Sequence, residues 1–137
     1  MKRPIKKVNP RIKKELLRLI LALLVIVLTI GCKNENGLPD PLEAGWNNEA
    51  VCEVLKEDAK IRVLKCTFPP GVGHEKHYHD RHVGYTISGS KFRIEDTTGV
   101  REVNVPTGYT FSKDERTWHE VLNVGDSTAV FLIIEPK

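Results

Sequence analysis

Four of the five histidines of the chain lie within the sequence Gly71-Val-Gly-His-Glu-Lys-His-Tyr-His-Asp-Arg-His-Val-Gly-Tyr-Thr-Ile-Ser-Gly89. At its centre, His77 and His79 are two residues apart, a spacing that places both side chains on one face of a β-strand. Neutral imidazole is the commonest metal ligand in proteins and suits zinc, iron, copper and nickel. The stretch therefore predicts a metal site with a His-x-His core.

About eight short strand-like segments are separated by turn residues. They are 51–56, 61–68, 83–88, 91–96, 101–105, 109–112, 117–124 and 128–135. Strands spaced about eight to twelve residues apart, without helical periodicity, indicate an antiparallel sandwich or barrel. The last segment is apolar on both faces, so we expect it to be central in its sheet or covered by a second subunit.

The N-terminal 31 residues have the layout of an export signal: a basic head, an apolar run from Leu19 to Ile30, and then Gly31-Cys32. Twelve residues are too few to span a bilayer comfortably. The run ends in Leu-Thr-Ile-Gly-Cys, which resembles a bacterial lipobox and makes Cys32 the lipidated N-terminus of the mature protein. An uncleaved anchor and a simple secretion signal are the alternatives. In each case the rest of the chain lies outside the cytoplasm.

Three regions follow from this layout: a signal peptide at 1–31, a flexible tether at 32–45 and one domain at 46–137. The tether is polar and contains two prolines. The net charge is +3 for the whole chain, but the part after residue 31 keeps 13 basic and 17 acidic residues, a net charge of −4. We expect no nucleic-acid partner, because such binding needs clustered basic residues.

Cys52 and Cys66 lie on either side of a predicted hairpin turn at 57–59. A loop centred on Ala59 would place them opposite each other, and an oxidising compartment would permit a disulfide. A register shift of one residue would put them on different faces of the sheet. Free thiols packed as small hydrophobic residues are the alternative.

With these features the chain resembles the cupin superfamily. The first cupin motif, G-x5-H-x-H followed by E-x6-G, is matched at Gly71, His77, His79 and Gly89. The spacing of the second motif, G-x5-P-x-G-x2-H-x3-N, is kept at Gly108, Asp114, Arg116, His119 and Asn123, where Asp114 and Arg116 replace its proline and second glycine. The resemblance covers roughly residues 60–135 and implies an all-β fold, a double-stranded β-helix or jelly-roll barrel.

The resemblance also implies one divalent metal ion inside the barrel, held by His77, His79 and His119. The glutamate of the first motif is missing. Its position corresponds to His82 when counted back from Gly89, which makes a four-histidine site, or to Val83 or Gly84 when counted forward from His79, which makes a three-histidine site with open positions. We expect His82 as a fourth ligand. The alternation of side chains along the strand argues against this expectation. Val83, Tyr85 and Ile87 form the more apolar row, which favours that row facing the interior and His82 facing away from it. His74 is expected to be exposed.

Chemistry of the dioxygenase, isomerase or decarboxylase type on a small organic molecule is what the resemblance implies. A non-catalytic module that binds a metal or a small ligand is the alternative. The metal can be Fe, Mn, Ni, Zn or Cu, since imidazole suits several of them. The nearest acid–base candidates are Glu75, Tyr85 and Glu120, none of which receives a role from the sequence. Cupins often pair, so a homodimer is compatible with either function, in a protein tethered in the periplasm or on the cell surface.

Overall fold

The computed structural model describes residues 37–137, together with Arg11 and Lys14. Residues 37–137 form eleven β-strands and no helix, so the predicted all-β fold is confirmed. The strands are β1 (Gly45–Trp46), β2 (Glu49–Ala50), β3 (Cys52–Glu57), β4 (Ile61–Phe68), β5 (Gly73–His79), β6 (His82–Ser88), β7 (Ser90–Asp96), β8 (Gly99–Val105), β9 (Thr110–Lys113), β10 (Thr117–Asn123) and β11 (Ala129–Pro136).

Two antiparallel sheets form the body of the domain. The larger sheet has the strand order β3-β4-β11-β6-β9, the smaller has the order β5-β10-β7-β8, and β1 and β2 form a separate hairpin. β11 lies between β4 and β6, which explains why its sequence is apolar on both faces. Large sequence separations between neighbouring strands allow residues from distant parts of the chain to meet.

The core between the sheets is built around three aromatic rings. Phe68 of β4 and Phe131 of β11 belong to the larger sheet, and Phe92 of β7 belongs to the smaller one. Their ring centroids are 5.5 to 5.8 Å apart in edge-to-face arrangements, which are favourable for aromatic pairs. Leu64 and Ala129 are fully buried beside them. This cluster fixes the spacing of the sheets at one end of the domain.

Cys52 and Cys66 lie directly opposite each other on β3 and β4 and form a disulfide. Nearer the turn, Glu57 pairs with Arg62, a register that would place Cys52 opposite Thr67 if it continued. The register instead shifts between Val54 and Lys56, because a β-bulge adds one residue to β3. The bulge therefore brings the two cysteines into line.

β3 is an edge strand of the larger sheet. Beside the bulge it carries three exposed charged side chains, those of Glu53, Lys56 and Glu57. Lys65 on the neighbouring strand pairs with Glu53, with 2.9 Å between Nζ and Oε1. The free side of β3 is thus charged and irregular.

Residues 39–44 pack against the domain, although the sequence places them in the tether. Pro41 and Ala44 are buried, and the Pro39 carbonyl accepts a hydrogen bond from the Tyr78 backbone N–H. Asp40 forms an ion pair with Arg62 at 2.8 Å. The signal peptide at 1–31, Cys32 and the first residues of the tether lie outside residues 37–137. Among the described residues, no helix has the length and hydropathy to cross a membrane.

The side-chain directions predicted for β6 by alternation are wrong. His82 and Thr86 are buried, whereas Val83, Tyr85 and Ile87 are 42 to 44% exposed. The reason is that the outward side of the neighbouring β11 is also apolar, with Leu132 opposite Tyr85 and Ile134 opposite Val83. We call this surface the outer patch. It consists of Val83, Tyr85, Ile87, Val130, Leu132 and Ile134.

Candidate metal centre

Strand pairing brings together the three histidines that match the cupin motifs. His77 and His79 lie on β5, and His119 lies directly opposite His77 on β10. One ring nitrogen from each histidine lies within 4.8 Å of the others. His77 and His79 are buried, at 0 and 3% exposure. The group therefore has enough ligand atoms, at a suitable spacing, to coordinate a divalent ion from one side.

Hydrogen bonds orient two of these imidazoles toward a common point. The Nδ1–H of His77 donates to the Glu75 carbonyl at 2.6 Å, and the Nδ1–H of His79 donates to Glu135 Oε1 at 2.9 Å. Each neutral ring then has an unprotonated Nε2, and the two Nε2 atoms lie only 3.0 Å apart. Two facing lone pairs repel unless a cation, either a proton or a metal ion, lies between them. The residues present thus fit a bound metal.

Burial keeps most of the cluster neutral. It lowers the pKa of His77 and that of His119, and the neighbouring imidazoles lower both further. Neutral imidazole is the form that binds metal ions, so His77 and His119 can act as ligands at pH 7 without first losing a proton.

Glu135, which the sequence analysis did not single out, supports His79 from behind. Its carboxylate accepts from His79 and, at 2.5 Å, from Arg62 Nε, and the Arg62 guanidinium also binds Asp40. Burial raises the pKa of Glu135, but the hydrogen bonds outweigh it and the net pKa is lowered. An ionised carboxylate behind a ligating histidine fixes the ring and raises its basicity. In the sequence, Glu135 stands out as a lone acidic residue on the inward face of the otherwise apolar strand β11, and this pattern could have identified it.

His82 is buried beside the cluster but outside the group of three. Its ring centroid lies 4.8 Å from that of His79, and its Nδ1–H donates to the Asp80 carbonyl at 2.7 Å. Burial lowers its pKa. The structure thus turns His82 inward, contrary to the alternation argument, and leaves its role as a fourth ligand a prediction.

His74 is buried at 2% exposure, so the expectation that it is exposed is wrong. The cause is a bulge: His77 pairs with His119, but His74 pairs with Val121, so one extra residue of β5 lies between these pairs. Because of it, His74 faces inward with His77, at a ring-centroid distance of 3.8 Å. Its Nε2–H donates to the Pro41 carbonyl at 3.0 Å, and Nδ1 lies 3.9 Å from the Cys52 sulfur.

A cavity of 490 Å³ lies next to the histidine group. His79 and His119 form part of its wall, and Phe68, Phe92 and Phe131 form another part. Pockets of this size and mostly apolar character are typical of sites for small organic molecules. Of the three acid–base candidates, Glu75 and Tyr85 are exposed and Glu120 is half-buried, and none of the three lines this cavity.

Comparisons with known proteins agree with this architecture. A cupin domain from Bordetella pertussis Tohama I superposes with a TM-score of 0.59 and 25% identity, over 64% of this chain and 92% of that one. A cupin superfamily protein from Desulfitobacterium hafniense DCB-2 has a TM-score of 0.50 and 9% identity, over 62% of this chain and 74% of that one. A cupin 2 conserved barrel domain protein from Salinispora arenicola CNS-205 has a TM-score of 0.50 and 15% identity, over 77% of this chain and 85% of that one.

No family model and no curated protein matches the sequence. The fold, the neighbouring structures and the two histidine motifs together define the class of protein. The chain belongs to the cupin superfamily.

Proposed function

We propose that this protein is an exported cupin that binds one divalent metal ion through His77, His79 and His119 and acts on a small organic molecule. The observation that carries the proposal is the pair of facing, unprotonated Nε2 atoms 3.0 Å apart beside a cavity of 490 Å³. When bound, a divalent ion can polarise a carbonyl or activate water or dioxygen. This covers dioxygenase, isomerase and decarboxylase chemistry, with Fe, Mn, Ni, Zn or Cu.

The protein's own residues supply orientation and a dry environment. Glu135 holds His79 in the tautomer that presents Nε2, and Arg62 holds Glu135 in turn. The aromatic side chains of Phe68, Phe92 and Phe131 give part of the cavity an apolar wall. A substrate bound there would have its reacting part next to His79 and His119.

A non-catalytic binding module is the second candidate, and the histidine count distinguishes the two. Four imidazoles would complete the coordination of a tetrahedral ion and close the site, as in structural zinc sites. Three nitrogens lie within 4.8 Å of one another here, and those of His82 are outside that group. This arrangement favours an open coordination position and therefore catalysis.

Metal loading tests the proposal directly. The full chain, purified in detergent and loaded with Co²⁺, is expected to retain about one ion per chain and to show an absorption spectrum that azide changes. The change follows from the open position, which an exogenous anion can occupy. Failure to retain metal would contradict the proposal, and a loaded site that does not respond to azide would favour the binding module.

We also propose that Cys32 carries the lipid that tethers the protein to the membrane, in the periplasm or on the cell surface. The Cys52–Cys66 disulfide supports a compartment outside the cytoplasm, where such bonds persist. Incorporation of labelled palmitate, lost in Cys32→Ser, checks the anchor.

A homodimer through the outer patch is part of the same proposal. Contiguous apolar side chains on a sheet face, with Val83, Tyr85 and Ile87 more than 40% exposed, are typical of interaction surfaces. Sizing of the protein at several concentrations checks this pairing, and Tyr85→Lys should prevent it.

A further inference from the structure

The cavity beside the histidine group has one polar end and one apolar end. At the polar end, His119 pairs with Asp96 on the neighbouring strand, and His82 pairs with Lys113. Asp96 and Lys113 line the cavity together with His79 and His119. The apolar end is formed by residues from both sheets, Phe68, Phe92, Val105, Phe131 and Ile133, and the polar side chains of Asn104 and Tyr109 also line the cavity.

Two cationic side chains line the cavity, those of Arg101 on β8 and Lys113 on β9. Arg101 is neutralised, because its guanidinium forms an ion pair with Asp96 at 2.8 Å. Lys113 has no such partner: within residues 37–137, no carboxylate forms an ion pair with it. One positive charge without a carboxylate partner therefore remains on the cavity lining, on an exposed side chain of the strand next to the histidine-bearing β6.

We infer that the ligand of this cavity is a small monocarboxylic acid with an apolar body. Its carboxylate binds Lys113 at the polar end, and its alkyl or aryl body packs against the aromatic side chains at the other end. A single cation without a carboxylate partner complements a single negative charge, and the mostly apolar lining favours an apolar body, although Asn104 and Tyr109 also line the cavity. The inference rests on the proposed function only for the reaction that the ligand undergoes. Binding of the ligand depends on the cavity alone.

Lys113 is thus a specificity-determining residue, which selects acids over their neutral analogues. A carboxylate that loses its cationic partner near an apolar wall is only partly resolvated, so its affinity falls. The neutral amide of the same acid makes no use of the charge of Lys113 and is expected to bind weakly and equally well with or without it.

Calorimetric titration of the full-length protein in detergent, stripped of metal with a chelator, tests the inference. The probes are 3-phenylpropionate, its amide 3-phenylpropionamide, and acetate. The acid is expected to bind about tenfold more tightly than the amide, and Lys113→Gln is expected to weaken acid binding by about tenfold without changing amide binding. Acetate, which lacks an apolar body, is expected to bind too weakly to measure.

Lys65→Gln is the control, because it removes the same charge from a half-buried lysine, paired with Glu53, that does not line the cavity. Arg101→Gln is expected to affect acid binding less than Lys113→Gln, since Asp96 already neutralises Arg101. Equal affinity for acid and amide, or equal losses in the Lys113 and Lys65 variants, would overturn the inference. Because metal-free protein is used, Lys113-dependent binding of the acid would support the inference even if the protein failed to retain a metal.

Discussion

His77→Ala is expected to lower the affinity of the protein for a divalent ion by more than about a hundredfold, because it removes a ligand rather than a supporting residue. His77 is fully buried, and its Nε2 points at that of His79 from 3.0 Å. No other nitrogen on β5 can replace it there without a change in strand register, because each imidazole is held by its own hydrogen bond. The measurement is metal content after dialysis, with competition against a chelator for the affinity.

His82→Ala is the matched control for this variant. It removes a second buried imidazole, 4.8 Å from His79 by ring centroid, from a position outside the group of three. We expect it to lower metal affinity by no more than about ten- to a hundredfold, the range of supporting residues. A loss as large as that of His77→Ala would contradict the three-ligand site and show that His82 is the fourth ligand. Circular dichroism of both variants separates loss of metal from loss of fold.

Acidification from pH 7 to pH 4 is expected to destabilise the metal-free protein by several kcal/mol. Burial lowers the pKa of His74 to about 4, from 6.5 for a solvated histidine. Between these values the unfolded chain binds a proton that the folded chain does not, so the free energy of unfolding rises with pH across this window and falls on acidification. His74 alone accounts for about 3 kcal/mol of the loss at pH 4. The lowered pKa values of His77, His82 and His119 act in the same direction.

Urea denaturation at several pH values between 4 and 7 measures this effect. His74→Leu is expected to lower stability at pH 7, because the Pro41 carbonyl loses its hydrogen-bond donor. The variant should nevertheless show a shallower fall in stability between pH 6.5 and 4 than the wild type, since one titrating group is gone. An unchanged slope would show that His74 does not contribute to the pH dependence.

The strands and the convergence of three histidines could be predicted from sequence because both depend on regular features. Short alternating segments separated by turns indicate β-structure, and the motif spacing relates His119 to the His77–His79 pair although they lie on different strands. The sequence pattern could not predict which strands pair with each other. Glu135 on β11 and His79 on β5 are 56 residues apart and belong to different sheets, so only the packing of the two sheets against each other brings them together.

Side-chain direction was the least predictable property. Bulges reset the alternation at two places, in β5 between His74 and His77 and in β3 between Val54 and Lys56. The first turns His74 inward, and the second aligns Cys52 with Cys66. For β6 the difficulty was different: its inward row, His82, Gly84 and Thr86, is more polar than its exposed row, Val83, Tyr85 and Ile87, so hydropathy pointed to the wrong side.

The irregular, charged edge formed by β3 has a consequence for how copies of this protein can associate with one another. Unpaired backbone groups on a straight apolar edge strand would allow copies of the chain to pair edge to edge into an extended sheet. The kink at Leu55 and the charges of Glu53, Lys56 and Glu57 prevent that growth. Edge-to-edge pairing of two copies through β3 is thereby disfavoured.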